Sequence, residues 1–282
     1  PIAINIMVAL VASYGASVMG ALDAGADVIV SGAGLPLKLP AIVAEHPHGD
    51  RVALVPIVSS ARALDLIGRR WEKAGRRPDA VILEGPMAGS HLGWKTAAEI
   101  TDPANRLEAL LPAVLESAQA LGGIPVIVAG GIYTHEDIVR AIGLGASGVQ
   151  IGTRFLATVE SGADPAYKRA VVECTADDIV VATDPGSPCG LPFRTLSTAP
   201  MYAATLAKSR AARCDKHYLL MEGRCPAKEL PERYFCICNG LLSSTGLTDT
   251  EEPPLYTVGA NAHRIEKLLT VEELMKELAG TA

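Results

Sequence analysis

Short apolar segments alternate with amphipathic ones along the first half of the chain. Each apolar segment is rich in Val, Ile and Leu, ends in small residues, and is followed by a stretch with helical periodicity. Strands that are apolar on both faces are typical of a parallel sheet covered by helices. The predicted strands are Ile2–Val8, Asp27–Val30, Val52–Val58, Ala80–Leu83, Ile124–Val128 and Gly148–Ile151.

Predicted helices follow these strands in turn. They cover Ser17–Ala24, Leu37–Glu45, Ala61–Ala74, Asn105–Leu121 and Glu136–Leu144, and a further helix begins near Arg154. About six βα units indicate either a closed (β/α)₈ barrel, which has eight strands, or an open doubly wound sheet. Because Pro1 leads directly into a buried strand, we expect further residues upstream of it.

The regular alternation ends near residue 165. The weaker elements beyond it are a strand over Asp178–Ala182, a turn over Asp184–Gly190, helices within Met201–Ala212 and a last helix over Val271–Ala279. Thr270 and Glu273 have the spacing of a capping box for that last helix. We therefore predict a (β/α) barrel over residues 1–183 and a C-terminal lid or subdomain, which contains most of the cysteines, over residues 184–282.

Charge and composition exclude several classes of protein. The net charge of −6 and the absence of basic blocks argue against a surface for nucleic acid or anionic membrane, because such binding needs clustered Lys and Arg. No apolar run reaches the roughly 18 residues of a spanning helix, and no secretory signal opens the chain. Six cysteines in 282 residues do not suggest a disulfide scaffold, so we expect a cytoplasmic protein with reduced thiols.

Four cysteines cluster in the C-terminal third: Cys214, Cys225, Cys236 and Cys238. Zinc sites usually contain paired CxxC motifs, and this spacing does not match them. We therefore predict thiols that pack the lid, and no metal. Cys189, in a turn rich in Gly and Pro, is a weaker candidate for a nucleophile.

Two successive strand ends carry glycines. Gly130-Gly131 follows one predicted strand, and Gly152-Thr153 follows the next. Glycines at strand ends let backbone N–H groups approach a phosphate, and a helix N-terminus adds a favourable field. Thr134 and Asp137 have the spacing of a helix cap beside the first turn. The pattern predicts a phosphate site, and the alternative is that these glycines only make tight turns.

A histidine lies on the Gly-rich loop that runs from Glu84 to Gly93. This loop follows a predicted barrel strand, so it would lie at the C-terminal face where barrel enzymes carry their chemistry. The side chain of His91 titrates near neutral pH and is suited to take a proton from a carbon acid. The alternative is that His91 is a surface or packing residue.

Several of these segments resemble the nitronate monooxygenase (2-nitropropane dioxygenase) family, whose relatives include FMN-dependent enoyl-acyl-carrier-protein reductases. The matching stretches are Ile4–Met7, Val30–Gly34, Glu84–Gly93, Val128–Ile132 and Gly148–Phe155. They cover residues 1 to about 156 in the family's order. Two stretches farther on, Ser187–Pro192 and Gly259–Arg264, resemble the tail of a bacterial subgroup.

The resemblance implies a TIM (β/α)₈ barrel that binds FMN and lacks its first two strands, including a Gly-Met-Gly flavin turn, in this chain. His91 would be the catalytic base. The residues that would bind the cofactor are Asn5, Gly32, Glu84, Gly89 and Ser90 on the isoalloxazine and ribityl side, and Gly130, Gly131, Gly152, Thr153 and the nearby Gln150 at the phosphate. The chain departs from the family at Met87, where Glu is usual, and at Ser90, where Gly is usual. These departures concern the implied substrate contacts more than the implied cofactor contacts.

The activity implied is oxidation of alkyl nitronates or nitroalkanes by dioxygen to carbonyl products. One alternative is reduction of an enoyl thioester by NAD(P)H through the same flavin. Others are a flavin-free phosphate-binding barrel of the inosine-monophosphate dehydrogenase type, with Cys189 essential, and a non-catalytic scaffold that uses the cysteine-rich tail. We expect a small-molecule substrate, dioxygen or NAD(P)H as second reactant, and a homodimer as one assembly to test.

Overall fold

The computed structural model describes residues 1–10, 12–213, 216–217, 224–246 and 251–281. The chain divides into two compact units. The first, here the sheet unit, comprises Pro1–Gly85, Pro103–Ala129 and Ala141–Gln150. The second, here the loop unit, comprises Pro86–Asp102, Gly130–Arg140 and Ile151–Ala282.

The sheet unit contains a six-stranded, all-parallel sheet. Its strands are β1 (Ala3–Met7), β2 (Val28–Gly32), β3 (Ala53–Val58), β4 (Val81–Glu84), β6 (Val126–Ala129) and β7 (Gly148–Gln150). Each strand pairs with the next of these along the chain, so the spatial order is β1-β2-β3-β4-β6-β7. All six predicted strands are therefore confirmed.

This strand order decides between the two predicted architectures. A doubly wound sheet reverses direction at a switch point, whereas here every crossover steps the same way. Because crossovers between parallel strands are right-handed, such a series places its helices on one face of the sheet, as in a barrel. The class is α/β of the barrel type, and closure to eight strands stays a prediction.

One core cluster of the sheet consists of small and medium apolar side chains, Val30, Val55, Ile82 and Ala129. The helices that begin in the sheet unit, or run into it, are α1 (Tyr14–Asp23), α2 (Leu39–Val43), α3 (Ala61–Glu72), α5 (Leu107–Ala120) and α6 (His135–Gly143). Helix α3 packs against α5 and buries Leu64, Ile67 and Trp71 on one face. Helical spacing of these apolar residues explains why that face is buried.

The loop unit contains a small antiparallel sheet in the order β5-β9-β8. Its strands are β5 (Ser90–His91), β8 (Ile179–Ala182) and β9 (Phe193–Leu196). Its helices are α4 (Ala97–Thr101), α7 (Thr153–Leu156), α8 (Pro165–Glu173), α9 (Pro200–Leu206), α10 (Pro226–Glu229), α11 (Ile237–Ser243) and α12 (Val271–Ala279). Among the described residues, short 3-10 helices cover Ala176–Asp178 and Ala262–Arg264 in the loop unit and Pro103–Asn105 in the sheet unit.

Several local predictions differ from the structure. Strand β2 extends beyond the predicted end at Val30 to Gly32, and the helical structure predicted within Met201–Ala212 ends at Leu206. The Gly-rich loop from Glu84 to Gly93 contains β5, and the short helix α4 follows it. Strand β5 was not predicted because it is only two residues long and pairs with a distant strand. The capping box of Thr270 and Glu273 is confirmed, with Glu273 N–H donating to Thr270 Oγ1 at 3.2 Å.

None of the helices that the structure describes combines the length and the apolar character needed to cross a bilayer.

Candidate active site

His91 lies in strand β5 of the loop unit, paired with Phe193 of β9. Its ring meets the edge of the Phe193 ring at a centroid distance of 4.9 Å and an interplanar angle of 89°. Phe193 is fully buried and also contacts Phe235, at 5.1 Å between centroids. These contacts hold the imidazole in a buried, largely apolar environment, and His91 itself is 8% exposed.

The hydrogen-bond partner of His91 is Ser187, with 2.9 Å between Nε2 and Oγ. Burial lowers the pKa of His91 to about 4. Desolvation disfavours the charged imidazolium, so His91 is neutral at neutral pH. A neutral imidazole offers one donor and one acceptor, which suits both hydrogen bonding and proton transfer.

Arg194 fixes the segment that leads to His91. Its Nη1 donates to the carbonyl of Pro86 at 2.7 Å and also to the carbonyl of Ala88. Arg194 is 6% exposed, and burial lowers the pKa of its guanidinium to about 10, so it stays charged at neutral pH. A charged donor on two carbonyls gives strong hydrogen bonds that define the path of this loop.

The same loop packs closely against the segment Val258–Ala260. Ala260 N–H donates to the carbonyl of Met87 at 3.0 Å. A Cβ added at Gly89 would lie 2.6 Å from the backbone carbon of Val258, which is closer than real Cβ contacts. Gly89 is therefore required for this backbone approach, whether or not it also contacts a cofactor.

Ser90 adopts a left-handed backbone conformation, with φ of 64°. This conformation costs an L-residue about 1–2 kcal/mol, and it explains why Gly suits this position. We expect Ser90→Gly to raise the free energy of unfolding by up to about 1 kcal/mol after the greater flexibility of the unfolded chain is counted. Chemical denaturation measures this change.

The matched control for Ser90→Gly is Ser117→Gly, inside helix α5. Glycine in a helix interior is expected to lower stability by about 0.5–1 kcal/mol. If Ser90→Gly lost stability as Ser117→Gly does, the inference that the backbone is strained at Ser90 would be contradicted.

The two glycine turns also lie in the loop unit. Gly130 and Gly131 have φ of 86° and 99°, and a Cβ at Gly131 would meet Met87 at 3.0 Å. Successive amides in such a turn form a concavity that can bind an anion. A Cβ added at Gly152 would meet no atom of the described residues within 4 Å, so among them open space adjoins the second turn. This geometry fits a phosphate group of a cofactor.

The helix N-terminus beside the first turn is already neutralised. Asp137 Oδ2 accepts the N–H groups of Tyr133 and Thr134, each at 3.0 Å. The predicted cap is confirmed, since Asp137 N–H donates to Thr134 Oγ1 at 3.3 Å. Because a carboxylate occupies this end of α6, an anion would be held by the glycine amides and not by the helix end.

One segment that the sequence interpretation left without a role, Gly259–Asn261, links all three loops. Gly259 N–H donates to Thr153 Oγ1 at 2.9 Å, and Asn261 Nδ2 donates to the carbonyl of Gly131 at 2.8 Å. Ala260 reaches the His91 loop through Met87, as described above. The signal available in the sequence was the stretch Gly259–Arg264, which resembled a bacterial subgroup but carried no recognisable chemistry.

The remaining predicted site residues lie in the sheet unit. Glu84 and Gln150 end strands β4 and β7 and share a row of the sheet, because both are in register with Ala129. Asn5 is an exposed residue of β1. Gly32 is buried, and a Cβ there would meet Ile57 at 2.8 Å, so its first role is close packing within the sheet.

Burial raises the pKa of Glu84 to about 7. The folded state therefore holds a proton that the unfolded state releases near pH 4.5, and stability is lost as pH rises from about 4.5 to 7. We expect Glu84→Gln to change stability little at pH 4.5 and to raise the free energy of unfolding by about 2–3 kcal/mol at pH 8. Urea denaturation at both pH values measures the difference.

The control for Glu84→Gln is Glu45→Gln, at an exposed position. It should shift stability little and equally at the two pH values. A Glu84→Gln variant whose stability follows that of the parent at every pH would show that Glu84 is not protonated by burial.

The cysteines show no metal site among the described residues, where no three His, Cys, Asp or Glu are grouped to hold an ion. Cys225 and Cys236 are buried, and Cys214 lies outside the described residues. Burial raises the pKa of Cys189, which leaves it a thiol at neutral pH and disfavours it as a nucleophile.

The all-parallel sheet places the protein in the α/β class of the barrel type, and the loop unit adds a buried histidine and two glycine turns. The family described as "NMO: Nitronate monooxygenase" matches residues 2–280. The chain belongs to the nitronate monooxygenase family.

The chain is also similar to individual curated relatives and to a solved structure. A probable nitronate monooxygenase of Bacillus subtilis is 40% identical over 108 residues, which are 38% of this chain and 30% of the relative. An octahydro-indene carboxyl-CoA dehydrogenase of Mycobacterium tuberculosis is 40% identical over 120 residues, 43% of this chain and 30% of the relative. The structure of FabK from Thermotoga maritima aligns with a TM-score of 0.68 and 27% identity, over 100% of this chain and 75% of that one. The matches to the two curated relatives span only about a third of their length.

Proposed function

We propose that this chain acts as an FMN-dependent oxidoreductase that oxidises alkyl nitronates with dioxygen to carbonyl products. The observation that carries the proposal is the anchoring of the His91 loop and both glycine turns to one segment, Gly259–Asn261. A catalytic side chain and an anion-binding cradle are thereby held in the same compact unit. Membership of the family supplies the reaction class.

The cofactor proposal assigns the phosphate of FMN to the turns at Gly130, Gly131, Gly152 and Thr153. A bound flavin supplies the electron transfer, and the protein supplies binding, orientation and electrostatics. The assignments of Asn5, Gly32, Glu84 and Gln150 to the cofactor stay predictions from the sequence, as do those of Gly89 and Ser90.

The role proposed for His91 is to contact the reacting nitro group. As a neutral imidazole with a pKa near 4 it is a weak base. A nitronate is already deprotonated at carbon and needs no strong base, so it is a better match to His91 than a neutral nitroalkane. The barrel over residues 1–183, the lid over 184–282, a homodimer and a cytoplasmic location also stay predictions.

A second candidate is reduction of an unsaturated thioester with NAD(P)H through the same flavin. The observation that favours it is the relative whose name refers to a carboxyl-CoA ester. The two candidates share the cofactor and differ in the electron donor.

The experiment that separates them runs two assays on one preparation of the flavin-loaded protein. Oxygen uptake is followed with a linear alkyl nitronate, and NADH or NADPH absorbance is followed with a short enoyl-CoA. We expect nitronate-dependent oxygen uptake and carbonyl product, with little oxidation of nicotinamide. Thioester-dependent NAD(P)H oxidation without nitronate turnover would overturn the proposal in favour of the second candidate.

A further inference from the structure

The hydrogen bond between Ser187 and His91 determines which of the two groups carries the shared proton. Ser187 is 2% exposed, and its Oγ lies 2.9 Å from His91 Nε2. The same Oγ accepts the N–H of Cys189 at 3.1 Å. Among the described residues these are the two polar contacts of the hydroxyl, so its single proton can be assigned.

A hydroxyl group has one proton to donate and two lone pairs to accept. If His91 Nε2 carried the proton, Ser187 Oγ would accept two N–H groups, and its own proton would have no acceptor among the described residues. A buried donor without a partner is costly. If Ser187 donates to Nε2, then the Cys189 N–H, the hydroxyl and the imidazole nitrogen are all satisfied.

The backbone around Ser187 holds the hydroxyl in place. Gly186 N–H donates to the carbonyl of Arg233 at 2.9 Å, and Gly190 N–H donates to the carbonyl of Ser187 at 3.0 Å. A Cβ at Gly186 would lie 2.5 Å from the carbonyl oxygen of Thr183, so this turn is tight. On the other side, pairing of β5 with β9 and the Phe193 ring fix His91.

We infer that Ser187 is a positioning residue, whose hydroxyl holds His91 in the tautomer with the proton on Nδ1, so that His91 meets the reactant as a hydrogen-bond donor. Proton abstraction would need a lone pair, and the lone pair of this tautomer, on Nε2, is engaged by Ser187. A donor N–H instead binds an anionic oxygen, such as one of a nitronate. For its effect on turnover, the inference rests on the proposed function.

The direct test is the tautomer of His91 in the purified protein, with and without added FMN, read by long-range proton–nitrogen NMR on protein labelled with ¹⁵N-histidine. The signals of His91 are those lost in His91→Gln. We expect Nδ1 to resonate as a protonated nitrogen and Nε2 as a hydrogen-bonded, unprotonated one. A proton on Nε2 in the unsubstituted protein would overturn the inference.

Two variants extend the test to turnover. Ser187→Ala should shift the His91 nitrogen signals towards a tautomer mixture and lower kcat for a nitronate about tenfold, with less change in KM. Ser187→Thr keeps the hydroxyl and should restore both readings, and Ser209→Ala, at an exposed site, should change neither. Unchanged nitrogen signals in Ser187→Ala would contradict the positioning role.

The outcomes separate this inference from the proposed function. Loss of the flavin assignment or of nitronate turnover would remove the proposed function and leave the His91 tautomer standing. A proton on Nε2 together with normal nitronate turnover would remove the inference and leave the proposed function standing.

Discussion

Replacement of His91 by alanine is expected to lower kcat/KM for an alkyl nitronate by about a hundredfold or more, while flavin content stays the same. A positioned side chain that donates to, or takes a proton from, a reacting group contributes on this order. Flavin should be retained because the anion-binding turns at Gly130–Gly131 and Gly152–Thr153 do not include His91. Steady-state kinetics and the flavin-to-protein ratio measure the two effects.

Two controls sharpen the His91 prediction. His48→Ala, at an exposed position, should change neither quantity. A parallel assay with the neutral nitroalkane tests the original expectation that His91 is a base, because a base would be needed for that substrate alone. Unchanged kcat/KM for both substrates in His91→Ala would contradict any catalytic assignment of this residue.

Replacement of Arg194 by alanine is expected to destabilise the protein by about 3–5 kcal/mol and to lower activity further than the stability loss explains. The substitution leaves the buried carbonyls of Pro86 and Ala88 without their donor and opens a cavity. The loop that carries His91 would then lose its fixed path. Denaturant unfolding and kcat under native conditions are the measurements.

Two further variants serve as controls for Arg194→Ala: the conservative Arg194→Lys and the exposed-site Arg62→Ala. A lysine ammonium can donate to one of the two carbonyls with a less rigid geometry, so the stability loss should be intermediate. Arg62, exposed on helix α3, should be replaceable with little effect. If Arg194→Ala unfolded at the same denaturant concentration as the parent protein, Arg194 would not be the support of this loop.

Elements governed by local patterns could be predicted from the sequence. The six parallel strands follow from continuous Val, Ile and Leu runs, and the helix caps at Thr134 and Thr270 follow from the spacing of a hydroxyl and a carboxylate. The glycine turns were predictable because the family motif and the strand ends coincide. The His91 loop was identified by its residues, although its role is still a proposal.

Contacts between distant segments could not be predicted. Ser187 lies 96 residues from His91, and Asn261 lies 130 residues from Gly131. A short strand such as β5 has no periodicity of its own, and its pairing with β9 depends on the fold around it. The same reason explains why Arg194 has no local sequence signature for its role under Pro86 and Ala88.

The measurement that tests the central claim most directly is the visible spectrum of the purified protein, followed by heat release and chromatography of any bound chromophore. We predict a flavin spectrum and near-stoichiometric release of FMN. A colourless protein that also fails to bind added FMN would contradict the flavin assignment and leave the glycine turns as a site for another phosphate ligand.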